Sequence, residues 1–236
     1  IGDVGEAKTV YRNYVGKHEG VTSSEKQKMT RRDKIGESAF SRYVLEVAWL
    51  YVKLGQTDMA QEYLDEVKAP LDHQSVPPSR LYSVYYRVSM ELFRTMNDVD
   101  RIYSASIKWL AYTPLASMTV EEKKIIVRDM LKCALLSQEV YSFGEILTPE
   151  IREVAAMGGY TWLYSLLMIV NKGEVAKWNE AKELYRSLMQ EDESFQGKMD
   201  VVNEKVALLA LLELVFHRPT TERVLSFTEI ANCCQI

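Results

Sequence analysis

Histidines, clustered carboxylates and glycine pairs are the features of this sequence that could support chemistry. The three histidines, His18, His73 and His217, stand far apart, and none belongs to a zinc-binding motif. The carboxylates at 191–193 lie on a predicted connection, outside the low-dielectric pocket that acid–base catalysis needs. Gly158-Gly159 lacks the lysine and hydroxyl of a nucleotide-binding loop. We therefore expect no enzyme activity, no metal and no cofactor.

The cysteines point to a reducing compartment. Cys133 falls on the apolar stripe of a predicted helix and is expected to be a small buried side chain. Cys233 and Cys234 are adjacent, so they are poorly placed to bridge to each other without strain. The chain opens on Ile1 and has neither a signal-peptide pattern nor a long apolar run. We expect a fragment of a soluble intracellular protein, in the cytoplasm and nucleus, that does not enter membranes.

Composition indicates a folded protein with an ordinary surface. The 236 residues are 47% hydrophobic, which is enough for a sizeable core in one elongated domain or two compact ones. Lys and Arg total 29 against 33 Asp and Glu, giving a net charge of -4. Because there is no basic surplus, nucleic acid is disfavoured as the main partner.

The spacing of the apolar residues predicts which parts of the chain are ordered. Residues 1–19 carry a helical pattern, whereas 21–36 are polar and charged and are expected to form a mobile linker. A strong helical stripe starts at Glu37 and closes at Gly55, and a partner helix follows and ends before Pro70. The predicted domains are therefore an N-terminal region 1–36, a helical repeat 37–203 and a C-terminal module 204–236.

The first helix pair sets a repeat that continues along the chain. Predicted turns fall at Gly55, 96–98, 137–138 and 173–174, separated by steps of 41, 41 and 36 residues. Apolar periodic segments precede and follow each turn. These steps predict an all-α, right-handed, tetratricopeptide-like helical-repeat solenoid. Gly144 and Gly158-Gly159 interrupt the helical pattern, either as bends where helices cross closely or as simple caps and turns.

The C-terminal segment has a different pattern. Residues 206–216 are apolar apart from Glu213, so we expect a helix buried on nearly all sides. A turn at 217–220 and an extended Val224-Leu225 follow, and Ser226 with Glu229 has capping-box spacing that predicts a new short helix. This order of elements is typical of the start of a winged helix.

Two segments resemble a known family. Residues 211–219 and 224–231 resemble the start of the winged helix in PCI domains, the module shared by the proteasome lid, the COP9 signalosome and translation initiation factor three. Residues 139–147 are similar to a motif of proteasome lid subunits. This chain departs from the family at Thr148-Pro149, where a histidine is expected before the proline, and it stops at Ile236 with most of the winged helix missing.

The resemblance implies a non-catalytic scaffold that binds other PCI subunits, most simply in the proteasome lid, and takes no small-molecule substrate. The residues that it marks for partner binding are Arg218, Arg223, Leu225, Phe227 and Ile230. Those that it marks as a structural motif are Tyr141, Phe143, Gly144 and Glu145. The alternatives are a PCI subunit of the signalosome or of the initiation factor, or a nucleic-acid-binding module that uses Arg218 and Arg223 on phosphates.

Overall fold

A computed structural model describes residues 31–72, 79–219 and 224–235 of the chain. These residues form eleven α-helices and two short 3-10 turns, and no β-strand occurs among them. The predicted all-α helical-repeat class is therefore confirmed. The chain divides into two compact units, residues 1–96 and 97–236.

The described part of the first unit holds three helices that pack on one another: α1 (Arg31–Lys53), α2 (Thr57–Asp72) and α3 (Ser79–Thr95). Ala48 of α1 and Ala60 of α2 are fully buried, and the Tyr51 ring stacks on that of Tyr63 with 5.3 Å between centroids. Gly55 turns the chain between these helices with a φ of 71°, which favours glycine. The predicted pair of helices thus forms, with small and aromatic residues filling the space between them.

Two boundaries in this unit differ from the prediction. Helix α1 begins at Arg31, before Glu37, and α2 continues through Pro70 to Asp72. The final turn of α2 persists because Leu71 is buried and its carbonyl accepts a hydrogen bond from the Tyr82 hydroxyl at 3.1 Å. The predicted N-terminal helix and residues 21–30 of the predicted linker lie outside the described residues, and the three-domain division stays a prediction.

The second unit contains the remaining eight helices: α4 (Val99–Tyr112), α5 (Val120–Leu136), α6 (Pro149–Gly158), α7 (Thr161–Asn171), α8 (Val175–Leu184), α9 (Arg186–Glu191), α10 (Met199–Phe216) and α11 (Phe227–Cys234). Helix α5 is central, since it packs against α4, α6, α7 and α10. It begins with a capping box, in which Thr119 and Glu122, at the spacing typical of this motif, satisfy each other's backbone amides.

One turn of this unit approaches another helix very closely. Gly173 links α7 to α8 with a φ of 61°, and a Cβ atom added there would lie 2.4 Å from the Ala210 nitrogen of α10. The glycines suggested as crossing points serve otherwise: Gly159 is a left-handed cap with open space around it, and Gly144 lies in the loop 137–148 between α5 and α6. For these glycines, the cap-or-turn alternative is the one observed.

The C-terminal segment departs from two expectations. Val224-Leu225 forms no strand, because a strand needs a hydrogen-bonding neighbour and no described residue supplies one. Helix α10 is buried on one side only: Val206 and Leu209 are in the core, whereas Leu212 and Phe216 are exposed. An apolar stretch is buried only where neighbouring helices cover it: α5, α7, α8 and α11 contact α10 but leave Leu212 and Phe216 exposed.

Candidate functional site

The side chains considered for chemistry do not assemble into a catalytic group among the described residues. His217 is exposed at the end of α10, where its ring nitrogen lies 3.1 Å from a Glu213 carboxylate oxygen. Cys133 is buried, as predicted, and Cys233 and Cys234 are free thiols. No group of three or more metal-binding side chains occurs in the described part of the chain. His18 and His73 lie outside it.

Asp192, from the carboxylate run, is less solvated than predicted. Its side chain accepts hydrogen bonds from the Ser194 amide and from Lys132 Nζ at 3.0 Å. Burial alone would raise the pKa of Asp192, but these hydrogen bonds outweigh burial and lower it. The carboxylate therefore ties the 3-10 turn 193–195 to α5 and has a structural role.

Five exposed apolar side chains lie near the C-terminal end of the second unit, and three of them, Phe216, Val224 and Phe227, are the most exposed large apolar residues described in it. Leu208, Leu212 and Phe216 recur every fourth residue of α10 and are 41%, 47% and 79% exposed. Val224, just before α11, and Phe227, its first residue, are 88% and 91% exposed. We call these five residues the C-terminal apolar surface. Exposed apolar groups of this size, close together in sequence, indicate a surface suited to a partner.

A short ionic network shapes the turn beside this surface. The Ser226–Glu229 capping box forms as predicted and begins α11. Arg218 donates hydrogen bonds to the Val224 carbonyl, at 3.1 Å, and to the Glu229 carboxylate. Hydrogen bonds from the Ser226 amide and from Arg218 lower the pKa of Glu229 to about 2. Arg218 thus ties the end of α10 to Val224 and α11, and it is engaged within the chain.

A groove lies between α8, α10 and α11 and has a volume of about 530 Å³. Its apolar floor includes Trp178, Leu208 and Ile230. The Cys233 and Cys234 thiols donate to backbone carbonyls of α10, at 3.5 Å each, which seats α11 on that helix. The groove is continuous with the C-terminal apolar surface, because Leu208 belongs to both.

The structure brings together most, though not all, of the residues predicted for partner binding. Arg218, Leu225, Phe227 and Ile230 lie on the turn and on α11; Leu225 and Ile230 are half-buried and Phe227 is exposed. Arg223 lies outside the described residues.

Among the helices described, none is long and apolar enough to cross a membrane.

The predicted structural motif lies in the loop 137–148. Phe143 is fully buried, whereas Tyr141, Gly144 and Glu145 are exposed. The loop is anchored by Ser137, whose hydroxyl donates to Asp100 and accepts hydrogen bonds from the amides of residues 139 and 140. An irregular segment is thus held in a defined conformation between two helices.

One residue at this loop was missed by the sequence analysis. Lys205 of α10 is 1% exposed, and its Nζ donates to the carbonyls of Ala134, at 2.9 Å, and Leu135, at 3.2 Å. The rings of Tyr141 and Phe143 have centroids 5.6 and 5.7 Å from Nζ. Its position between the apolar residues of the buried stripe of α10 was a usable signal. Burial lowers its pKa to about 8, although Asp100 partly opposes this shift.

Comparisons with known proteins agree on one group. A family described as "PSD13 N-terminal repeats" matches residues 7–167. The "26S proteasome non-ATPase regulatory subunit 13 homolog B" of Arabidopsis thaliana is 25% identical over 88% of this chain and 54% of its own length. The "26S proteasome regulatory subunit RPN9" of Saccharomyces cerevisiae is 28% identical over 81% of this chain and 48% of its own length. The chain thus spans about half the length of the curated relatives it matches.

Proposed function

Since the chain belongs to the family of PSD13 N-terminal repeats, we propose that it acts as a non-catalytic scaffold in the lid of the proteasome regulatory particle. In this role it contributes to lid assembly, and so to ubiquitin-dependent protein degradation, by binding other PCI subunits. The Arabidopsis relative is named as a non-ATPase regulatory subunit and the yeast relative as a regulatory subunit, which supports a role without chemistry of its own. The corresponding location is the cytoplasm and the nucleus.

The C-terminal apolar surface is the observation that carries the proposal. Covering a large apolar side chain is worth about 1.5 to 3 kcal/mol, so Phe216, Val224 and Phe227 together provide a strong drive to associate. The ion pair between Arg218 and Glu229 ties the end of α10 to the first turn of α11, which carries Phe227. A helix that is held in this way loses little conformational freedom on binding, which favours association.

Other assemblies with PCI subunits would use the same kind of surface, so the signalosome and the initiation factor remain alternatives. The nucleic-acid alternative has less support. Arg218, one of the two arginines that it needs, already donates to Glu229 and to the Val224 carbonyl. The net charge of -4 would also repel a phosphate backbone at long range.

The direct test replaces Phe227 with Asp in the full-length protein in cells. Incorporation is followed by native gel, and the co-purifying chains are identified by mass spectrometry. We expect Phe227→Asp to be absent from the assembly while circular dichroism shows an intact helical repeat. Asn232→Asp is the matched control, because it adds the same charge at an exposed position of the same helix.

Wild-type protein should co-purify with proteasome lid subunits. Recovery of initiation-factor or signalosome subunits instead would favour one of those assemblies. Normal incorporation of Phe227→Asp, alongside normal incorporation of Asn232→Asp, would show that the C-terminal apolar surface does not bind the partner.

A further inference from the structure

Lys205 is buried in surroundings that do not favour a charge. Moving an ammonium group out of water costs several kcal/mol unless partners compensate for the lost hydration. Here the direct partners of Nζ are the neutral carbonyls of Ala134 and Leu135 and two aromatic rings. Asp100 favours the charged form, but a carboxylate oxygen of Asp100 already accepts the Ser137 hydroxyl. The charge is therefore only partly compensated.

Opening of the loop 137–148 would relieve the cost of burying the Lys205 ammonium. The two rings over Nζ both belong to the loop 137–148, whereas the carbonyls belong to α5 and Lys205 itself to α10. The loop has no helical hydrogen bonding over most of its length, and it is fixed by Ser137 and by the buried side chains of Phe143 and Ile146. If the loop lifts, water reaches Nζ while α5 and α10 keep their own hydrogen bonds.

We propose that the loop 137–148 is a protonation-sensitive strap: it closes tightly over Lys205 when the amine is neutral, and protonation of Lys205 biases it to open. The sign follows from linkage, because the closed state binds the Lys205 proton more weakly than an open, hydrated state does. An amine can still donate to the two carbonyls after it loses a proton, so deprotonation removes the cost of the charge without breaking both hydrogen bonds. Opening presents the buried Phe143 to solvent.

The other titratable groups near Lys205 come from three elements. Asp100 faces it from α4 and favours the protonated amine. Tyr141 faces it from the loop, and Tyr164 is the ionisable side chain of the neighbouring α7. The last turn of α5, residues 133–136, contributes carbonyls and the buried thiol of Cys133. The variant at Lys205 described below separates the effect of its amine from that of these groups.

The test measures amide hydrogen exchange of residues 138–147 in the whole chain at several values between pH 7 and pH 9, corrected for intrinsic exchange. With a pKa of about 8 in the closed state and 10.5 in water, the opening equilibrium should fall about tenfold across this range. Amides in the middle of α5 and α10 serve as the internal reference and should not show this fall.

Two variants distinguish the effect of Lys205 protonation on the loop from pH-dependent changes in the stability of the whole unit. Lys205→Met removes the titrating group and should abolish the pH dependence of the loop. Lys172→Met, which removes a lysine from an exposed position in the same unit, should retain it. A loop whose protection stays constant or decreases as the pH rises would overturn the proposal, as would pH dependence that survives Lys205→Met. If Lys205→Met does not fold, the wild-type profile decides alone.

Discussion

Replacing Phe143 with Ala should strongly destabilise the second unit. The side chain is fully buried, and a buried Phe→Ala change typically costs about 3 to 5 kcal/mol, as the sum of lost transfer free energy and the cavity left behind. For a chain of this size the change should lower the melting temperature by roughly 6 to 20 °C.

Thermal and urea unfolding followed by circular dichroism would measure this loss. Tyr141→Ala is the comparison, because Tyr141 lies in the same loop and against the same ammonium but is 39% exposed. It should cost less than half as much as Phe143→Ala. Equal losses for the two variants, or a Phe143→Ala loss within about 1 kcal/mol of wild type, would refute the view that Phe143 anchors the loop.

Two further predictions concern other positions. Gly173→Ala should destabilise the chain by at least about 1 to 2 kcal/mol, because alanine disfavours the left-handed backbone there and its Cβ would clash with Ala210. In the same unfolding assay Gly144→Ala should be nearly neutral, because a Cβ atom at Gly144 would meet no atom within 4 Å. The Glu229 carboxylate should titrate near pH 2 in an NMR experiment. Its capping contact should therefore be complete above the ordinary glutamate pKa of 4.5 and be lost as the pH falls toward 2. A carboxylate that titrates at 4.5 would contradict the ion pair with Arg218.

Local chemistry explains which elements could be predicted from the sequence. The capping boxes that begin α5 and α11 depend on a hydroxyl and a glutamate three residues apart, a spacing that is visible in the sequence, and the one at α11 was predicted correctly. The pairing of Tyr51 with Tyr63 also followed from spacing along two neighbouring helices. The resemblance to proteasome lid subunits, based on short motifs, is confirmed by the named relatives.

Features that depend on distant residues were not predicted. Lys205 is buried because carbonyls from α5, about 70 residues earlier, and rings from the loop 137–148 surround it. The expected strand at Val224-Leu225 is absent from the described residues because pairing needs a neighbour that local sequence does not reveal. Likewise, the apolar content of α10 predicted burial but could not show that helices cover one side only.

The seat of Gly173 on α10 has a mechanical consequence. Backbone atoms of Leu209 and Ala210 lie so close to this turn that α10 cannot slide along its axis without pushing the α7–α8 connection. From Ala210 to Phe216 the helix extends about 9 Å further, with its outer face exposed. The contact at Gly173 therefore couples this end of α10 to the α7–α8 turn. If a partner that binds Phe216 shifts α10 along its axis, the α7–α8 turn must shift with it, so the displacement would be transmitted to the helical repeat.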